Sequence, residues 1–198
     1  TALSNYSLMC SGSYNNSSRT PPAINILERW MVGWAEPQEI SEMGIFQLDP
    51  VWEDSGFLVR TPVENDYFLL ECRGVSGSKW DSYITTSGGG MMVYHVDYTS
   101  KYQNAWLYSN NLNANPQHEC MKMLPSYGSG SNADYFYPGQ HNVTELTFEG
   151  NAAYRSWANS EPAVDFSSIL LQGTRIQLRV EGELPDIGFA AEAAQYDA

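Results

Sequence analysis

One stretch of the chain decides its fold: Tyr67-Phe68-Leu69-Leu70-Glu71-Cys72-Arg73. A strand formed by this run would be apolar on both faces, which is typical of a strand inside a sheet rather than at an exposed edge. A second run of the same kind, Met91 to Tyr98, follows the glycine-rich turn at 87–90. Together the two runs predict a sheet at the centre of the molecule.

Shorter strands are predicted at Ile45 to Leu48, Phe57 to Arg60, Cys120 to Leu124 and Arg175 to Val180. The last of these alternates apolar and polar residues and should have one wet face. The clearest helix runs from Pro21 to about Val32, with Thr20 as its N-cap and Gly33 at its end. The sequence therefore predicts an α+β fold, mainly β, in which one helix is followed by an antiparallel-rich sheet or sandwich.

The composition excludes several classes of function. The 198 residues carry a formal net charge of −13 with only ten Lys plus Arg, and the mean hydropathy is −0.38. This charge argues against binding to nucleic acid or to anionic membranes. No run of about 18 apolar residues occurs, so no membrane span is expected. Three cysteines without C-x-x-C spacing predict buried thiols rather than a disulfide framework or a zinc knuckle, and one disulfide between two of them stays open for an exported protein.

The amino-terminal segment reads Asn5-Tyr6-Ser7-Leu8-Met9-Cys10-Ser11-Gly12-Ser13-Tyr14-Asn15-Asn16. Its apolar residues predict that the chain enters the core at Leu8 and Met9. It would then turn sharply on Ser11 and Gly12, where small residues tolerate the dihedral angles of a tight turn. The segment resembles the methionine turn that lies beneath the metal in one large class of zinc peptidases.

Six segments follow one another in an informative order. They are N-Y-S-L-M-C-S-G-S-Y-N-N with R-T-P-P, L-E-R-W-M-V-G-W, D-Y-F-L-L-E-C-R, K-W-D-S-Y, M-M-V-Y-H-V-D-Y, and N-A-N-P-Q-H with Y-P-G-Q-H-N-V-T-E-L. In this order the chain, from roughly Asn5 to Gly182, resembles the C-terminal half of a zinc metallopeptidase of the immune inhibitor A family, Bacteroides-like type. The resemblance implies an exported protein, secreted or on the cell surface, that acts on protein or peptide substrates.

Members of this family hold zinc with H-E-x-x-H on a helix and a third ligand shortly after it, and the glutamate acts as base for the attacking water. This sequence has no H-E-x-x-H, and its histidines, at 95, 118 and 141, lack the i, i+4 spacing. The resemblance therefore places the ligand helix before Thr1, in an upstream half of the peptidase domain that would be the partner of this chain. The start at Thr1 lacks a signal peptide and suits a piece of a longer protein. The isolated chain is predicted to be inactive.

The resemblance assigns Met9 the role of an apolar floor beneath the zinc ligands, without contact to the metal. Local sequence alone favours an ordinary core methionine, and the following helix with its R-T-P-P entry reverses that preference. Cys10 departs from the acidic or small residue expected after this methionine, and inert packing is the expectation for its thiol. Without the upstream half, the apolar surface formed by Leu8, Met9 and the Trp30 face should be exposed.

A second metal site is a further hypothesis. His95 and Asp97 stand two apart on a predicted strand, so their side chains share a face. Asp134, His118 or His141 could complete a ligand set from the long loops at 99–117 and 126–142. The competing interpretation is a buried hydrogen-bonded pair that supports the first loop. Calcium bound by Asp97, Asp134 and loop carbonyls is conceivable, although no D-x-[DN]-x-[DN]-G loop is present.

Trp106 and Tyr108 lie in a predicted loop and are the candidates for substrate contacts. They also keep a different class of function open, a non-catalytic β-rich binding module for glycan or protein ligands. A pseudo-peptidase scaffold is a third hypothesis. The predicted organisation is a methionine-turn loop and helix of the peptidase lobe at 1–34, a β-rich remainder of the same domain at 35–182, and an acidic tail or linker at 183–198.

Overall fold

The computed structural model describes residues 3–84, 88–109, 111–130 and 133–181. Within these ranges eight strands form two sheets. Sheet A has the strand order β1-β3-β4-β5-β6, and sheet B has the order β2-β8-β7. The strands are β1 Gln38–Glu39, β2 Gly44–Leu48, β3 Phe57–Arg60, β4 Asp66–Arg73, β5 Gly90–Asp97, β6 Met121–Met123, β7 Asp165–Gln172 and β8 Arg175–Glu181.

Antiparallel pairing holds both sheets together, apart from the short parallel pair β1–β3. The central strands β4 and β5 pair along their whole length, from Asp66 opposite Asp97 to Arg73 opposite Gly90. Every residue of both strands is buried. The prediction that these two runs form the inner strands of a sheet is confirmed.

Two apolar cores lie on the opposite faces of sheet A. The core between the sheets contains Phe68 and Val93 from sheet A and Phe166 and Leu178 from sheet B. The other core packs sheet A against the amino-terminal segment and contains, among others, Ile26, Leu27, Leu69 and Tyr94. Successive residues of β4 and β5 enter different cores because side chains alternate along a strand. The fold is α+β and mainly β, as predicted, with the two sheets packed as a sandwich.

The helices are short: α1 Asn15–Ser18, in which Asn16 and Ser17 have left-handed backbone angles, α2 Ile26–Met31 and α3 Gln103–Leu107. The predicted start of α2 was wrong, because Asn25 and not Thr20 is its N-cap. The Asn25 side chain accepts a hydrogen bond from the Glu28 N–H at 2.9 Å. The predicted end is confirmed, since Gly33 follows the helix with a φ of 76°, a value that favours glycine.

Most predicted strands are present with small changes in their bounds, whereas β1 and β7 were not predicted. The pairing of β7 with β8 contains a register shift between Ser167 and Leu170. Such a bulge breaks the alternation by which a strand is recognised. The predicted single wet face of β8 is confirmed, because Ile176, Leu178 and Val180 are buried between more exposed neighbours. Helix α3 lies within the predicted loop 99–117.

The amino-terminal segment lies against sheet A through α2, which contacts β4. Cys72 and Cys120 are buried free thiols, as predicted, and Cys10 is half-buried. No helix in the described part of the chain is long and apolar enough to cross a membrane. The predicted acidic tail, 183–198, lies outside the described residues.

Candidate functional site

Met9 lies on the outside of a tight turn that is held by hydrogen bonds to a buried residue, Ser7. The Ser7 carbonyl accepts hydrogen bonds from the N–H groups of Cys10 at 3.2 Å and Gly12 at 3.1 Å. The Ser7 hydroxyl accepts from the Met9 N–H at 3.2 Å and donates to Glu28 Oε1 at 3.2 Å. Ser7 is 1% exposed and Met9 is 82% exposed. The turn therefore presents the methionine side chain outward from a buried base.

The expectation that the chain enters the core at Leu8 and Met9 was wrong for this chain. Ser7 and Gly12 are the buried residues of the turn, whereas Leu8 is half-buried. The turn packs instead at Gly12, where an added Cβ would lie 2.5 Å from the Ser7 oxygen and 2.6 Å from Pro22 Cγ, so that no larger residue fits there. The Met9 side chain lies on the exposed side of the turn.

A buried charge network, formed by Glu71, Arg73, Asp81 and Tyr94, lies on the face of sheet A that the amino-terminal segment covers. Arg73 donates to Asp81 through Nη2 at 2.6 Å and Nε at 3.1 Å, and to Glu71 Oε1 through Nη1 at 3.2 Å. The Tyr94 hydroxyl donates to Glu71 Oε1 at 2.5 Å. The side chains of the three charged residues are 0% exposed.

The same network binds the backbone of the amino-terminal segment. Arg73 donates to the carbonyl oxygens of Tyr6 at 2.7 Å and Ala23 at 3.0 Å. Asp81 accepts from the Ala23 N–H at 2.9 Å, and Glu71 accepts from the Ile26 N–H at 2.6 Å. Sequence reasoning missed this network. Its signal was a pair of charged residues, two apart, inside a strand that is otherwise apolar, since buried charges need partners.

The pKa shifts of the network follow from burial and from the Arg73 charge. Burial raises the pKa of Glu71, although Arg73 acts to lower it. Burial also acts to raise the pKa of Asp81, but the charge and hydrogen bonds of Arg73 outweigh it and hold that pKa below its usual value. Burial acts to lower the pKa of Arg73, yet Glu71, Tyr94 and Asp81 raise it overall. The Arg73 guanidinium therefore stays positively charged, and Glu71, Asp81 and Tyr94 surround it.

His95 and Asp97 share a face of β5 but have different partners. His95 Nε2 lies 2.6 Å from Asp66 Oδ1, and His118 Nε2 lies 2.7 Å from Asp97 Oδ2. Asp97 Oδ1 also accepts from the Thr99 N–H at 2.9 Å. The pair that holds loop 99–117 is therefore Asp97 with His118, and His95 forms a second, separate pair.

Asp134 does not join these pairs. Its carboxylate accepts from the N–H groups of Phe136 at 3.0 Å and Gln140 at 3.2 Å, so it orders its own loop. Among the described residues, no group of three or more His, Cys, Asp or Glu side chains is arranged to hold a metal ion. The hypotheses of a second metal at His95, Asp97 and Asp134, and of calcium at Asp97 and Asp134, gain no support from this geometry.

Trp157 lies between the two His–Asp pairs. Its ring is stacked 4.0 Å from the His118 ring and 5.6 Å from the His95 ring, measured between centroids. Lys122 Nζ lies 4.1 Å from the centre of the same ring, and the backbone N–H of Trp157 donates to Asp66 Oδ2 at 2.9 Å. This column of rings joins His118, at the end of loop 99–117, to the segment that precedes β7. No sequence pattern indicates this column, since Trp157 lies between small and polar residues.

An aromatic cavity of about 410 Å³ opens between α2, α3 and the end of sheet A at which β3 and β5 finish and β4 begins. Its lining includes Leu27, Trp30, Arg60, Tyr67, Tyr98 and Trp106. Trp106 Nε1 donates to the Asp97 carbonyl at 2.7 Å, which fixes the ring. Tyr108 is not part of the lining and is 81% exposed. Of the two predicted substrate contacts, the structure places Trp106 in a cavity and Tyr108 in solvent.

Three features thus carry the functional inference: the outward Met9 turn, the buried charge network and the aromatic cavity. The first bears on a metal site, the second on the anchoring of the segment that holds Met9, and the third on ligand binding. Comparison of the chain with protein-family models, with curated proteins and with solved structures finds no match.

Proposed function

We propose that this chain is one part of an exported zinc metalloendopeptidase, in which Met9 lies beneath the metal and an upstream segment supplies the zinc ligands. The carrying observation is the contrast between Ser7, 1% exposed, and Met9, 82% exposed, within one hydrogen-bonded turn. A turn built around a buried serine holds the backbone of Met9 in place. A floor beneath a metal site needs an apolar side chain on a backbone that is held in this way.

Other apolar side chains of the amino-terminal segment support the proposal. Tyr14, Met31, Val32 and Trp34 are all more than half exposed. Single exposed apolar residues are ordinary on protein surfaces. Here they accompany Met9 on a segment that the buried charge network ties to sheet A, which favours a covering partner over disorder at a chain end. The upstream half of the peptidase domain would be that partner.

The chain itself supports only one component of a zinc site. Met9 would give the site an apolar floor without touching the metal. The sequence has no H-E-x-x-H, and His95 and His118 are already bonded to Asp66 and Asp97. Zinc, when bound, would supply a polarised water for attack on the peptide carbonyl. All zinc ligands would come from outside this chain, so the chain alone is expected to be inactive.

The test is an enzyme assay on the chain extended upstream to include the ligand helix and loaded with zinc. Casein cleavage that a chelator abolishes would support the proposal. Met9→Ala should lower that activity about tenfold or more, as changes in groups that support a metal site commonly do. Met43→Ala is the matched control, because Met43 is another exposed methionine and lies outside the turn. An extended, zinc-loaded protein that stays inert would refute the proposal.

A non-catalytic binding module is the second candidate, favoured by the cavity that Trp30 and Trp106 line. Saturable binding of a glycan or protein by a chain whose extended form never cleaves casein would support it. A pseudo-peptidase scaffold would be supported instead by an upstream reading frame that lacks paired histidines.

A further inference from the structure

We propose that the aromatic cavity binds the C-terminal residue of a peptide, with an aromatic or large aliphatic side chain against its rings and the free carboxylate at Arg60. This inference goes beyond the proposed peptidase function, because it concerns a binding site within this chain and needs neither zinc nor an upstream segment. The shape, rigidity and charge of the cavity each contribute to it.

The shape of the cavity favours a compact apolar side chain. Trp30 meets Tyr67 edge to face, with ring centres 6.0 Å apart and planes at 68°. Tyr98 meets Trp106 in the same way, at 5.6 Å and 64°. Rings at steep angles form concave corners, whereas a sugar ring stacks best on one flat aromatic face. The volume of about 410 Å³ lies in the range of small-ligand pockets.

The walls of the cavity are held in place before any ligand arrives. Trp106 is fixed by its bond to the Asp97 carbonyl, and the Asp97 carboxylate is itself bonded to His118 and to the Thr99 N–H. The Tyr98 N–H donates to the Asn65 carbonyl at 2.8 Å, which joins the loop between β3 and β4 to the segment that follows β5. A preformed site loses little conformational freedom on binding, so even a small ligand can bind measurably.

The polar groups of the cavity suit a carboxylate. Arg60 lines the cavity, its side chain is 47% exposed, and its Nε pairs with Glu39 at 3.1 Å. A guanidinium has further N–H groups in a planar fork that matches a carboxylate. Burial raises the pKa of Tyr67 to about 12, so its phenol remains a donor at neutral pH.

The direct test titrates the 198-residue chain with three ligands and follows binding by calorimetry and NMR. The ligands are N-acetyl-L-phenylalanine, its C-terminal amide and N-acetylglycine, which separate the ring from the carboxylate. We expect saturable binding of the acid, about threefold weaker binding of the amide because a half-exposed ion pair contributes little, and no binding of N-acetylglycine.

Two variants locate the site. Arg60→Gln should reduce the affinity for the acid to that for the amide. Arg175→Gln is its matched control, because Arg175 is 48% exposed and pairs with Asp49 on sheet B, and the difference between acid and amide should persist. Met31→Trp should block both ligands by filling the cavity, since Met31 lines it yet is 55% exposed and tolerates a larger side chain.

Several results would overturn the proposal: equal affinities for acid and amide in the unmodified chain, no saturation with the acid up to its solubility limit, or binding that Met31→Trp leaves unchanged in a folded protein. Saturable binding of a neutral disaccharide without binding of the acid would also overturn it and assign the cavity to sugars. None of these results depends on casein cleavage, so failure here is distinguishable from failure of the peptidase proposal.

Discussion

Arg73 and Asp81 form a two-point ion pair in which neither side chain is exposed to solvent. The two contacts, Nη2 to Oδ1 at 2.6 Å and Nε to Oδ2 at 3.1 Å, use the planar fork of the guanidinium. Both residues also bind the backbone of Ala23. The strand that carries Arg73 and the segment that carries Met9 are therefore connected through one buried ion pair.

Arg73→Met should destabilise the chain by about 3–5 kcal/mol, because it leaves Glu71 and Asp81 buried without their cation. Urea unfolding followed by circular dichroism would measure the change. Arg175→Gln is the control, since it breaks an exposed ion pair and should cost less than about 1 kcal/mol. A similar small cost for both variants would contradict the assigned role of Arg73.

The stability of the chain should depend on pH through Asp81. Its pKa is lower in the folded chain than in the unfolded chain, so the unfolded state binds the proton more readily. The resulting stabilisation is present above the unfolded pKa of about 4 and is lost as the pH falls towards the folded pKa. Asp81→Asn should lower the unfolding free energy at neutral pH and flatten its decline between about pH 5 and pH 3. A decline as steep as in the unmodified chain would contradict this.

Glu28 should change the pH dependence of stability in the direction opposite to Asp81. Burial raises its pKa, so the folded chain binds the proton more readily and loses stability as the pH rises above the unfolded value of about 4.3. Glutamine has no charge to bury, and its amide oxygen can still accept from Ser7. The unfolding free energy of Glu28→Gln should therefore increase relative to that of the unmodified chain as the pH rises from acid to neutral. Thermal unfolding at several pH values would measure this trend. Glu53→Gln, at an exposed position, is the control and should show no such trend.

Gly12→Ala should destabilise the Met9 turn. The added Cβ would lie 2.5 Å from the Ser7 oxygen and 2.6 Å from Pro22 Cγ, so the backbone must shift. The expected cost is about 1–3 kcal/mol, as for other overpacked sites. Ser11→Ala, at the exposed neighbouring position, should change the unfolding free energy by less than about 0.5 kcal/mol. Chemical unfolding that gives equal values for the two variants would show that the turn is not packed as described.

The central strands were predictable because their signal is local. A run of apolar residues on both faces indicates an inner strand whatever its neighbours are, and β4 and β5 both meet that condition. The start of α2 was not predictable in this way. The N–H groups of Ala23 and Ile26 bond to Asp81 and Glu71, which lie far along the chain, so the segment before Asn25 stays out of the helix.

The candidate site was predictable only in its residue types. The shared face of His95 and Asp97 follows from strand geometry, but their partners, Asp66 and His118, come from another strand and from a loop. Met9 was expected in the core because it is apolar. The structure packs the turn at Gly12, through a close contact that no hydrophobic pattern reports, and leaves Met9 exposed. Trp106 and Tyr108 look alike in the sequence, as two aromatic residues of one loop. Trp106 lies within α3 and lines the cavity, whereas Tyr108 follows the end of α3 and is exposed.

The bonds from Arg73, Asp81 and Glu71 to Tyr6, Ala23 and Ile26 restrict how this polypeptide could be dissected. A version shortened to begin at residue 35 would remove the backbone groups that now bond to these three charged side chains and would expose the face of sheet A that carries them. The segment before residue 35 is thus part of the folded domain, and a search for a minimal folding unit should shorten the chain elsewhere.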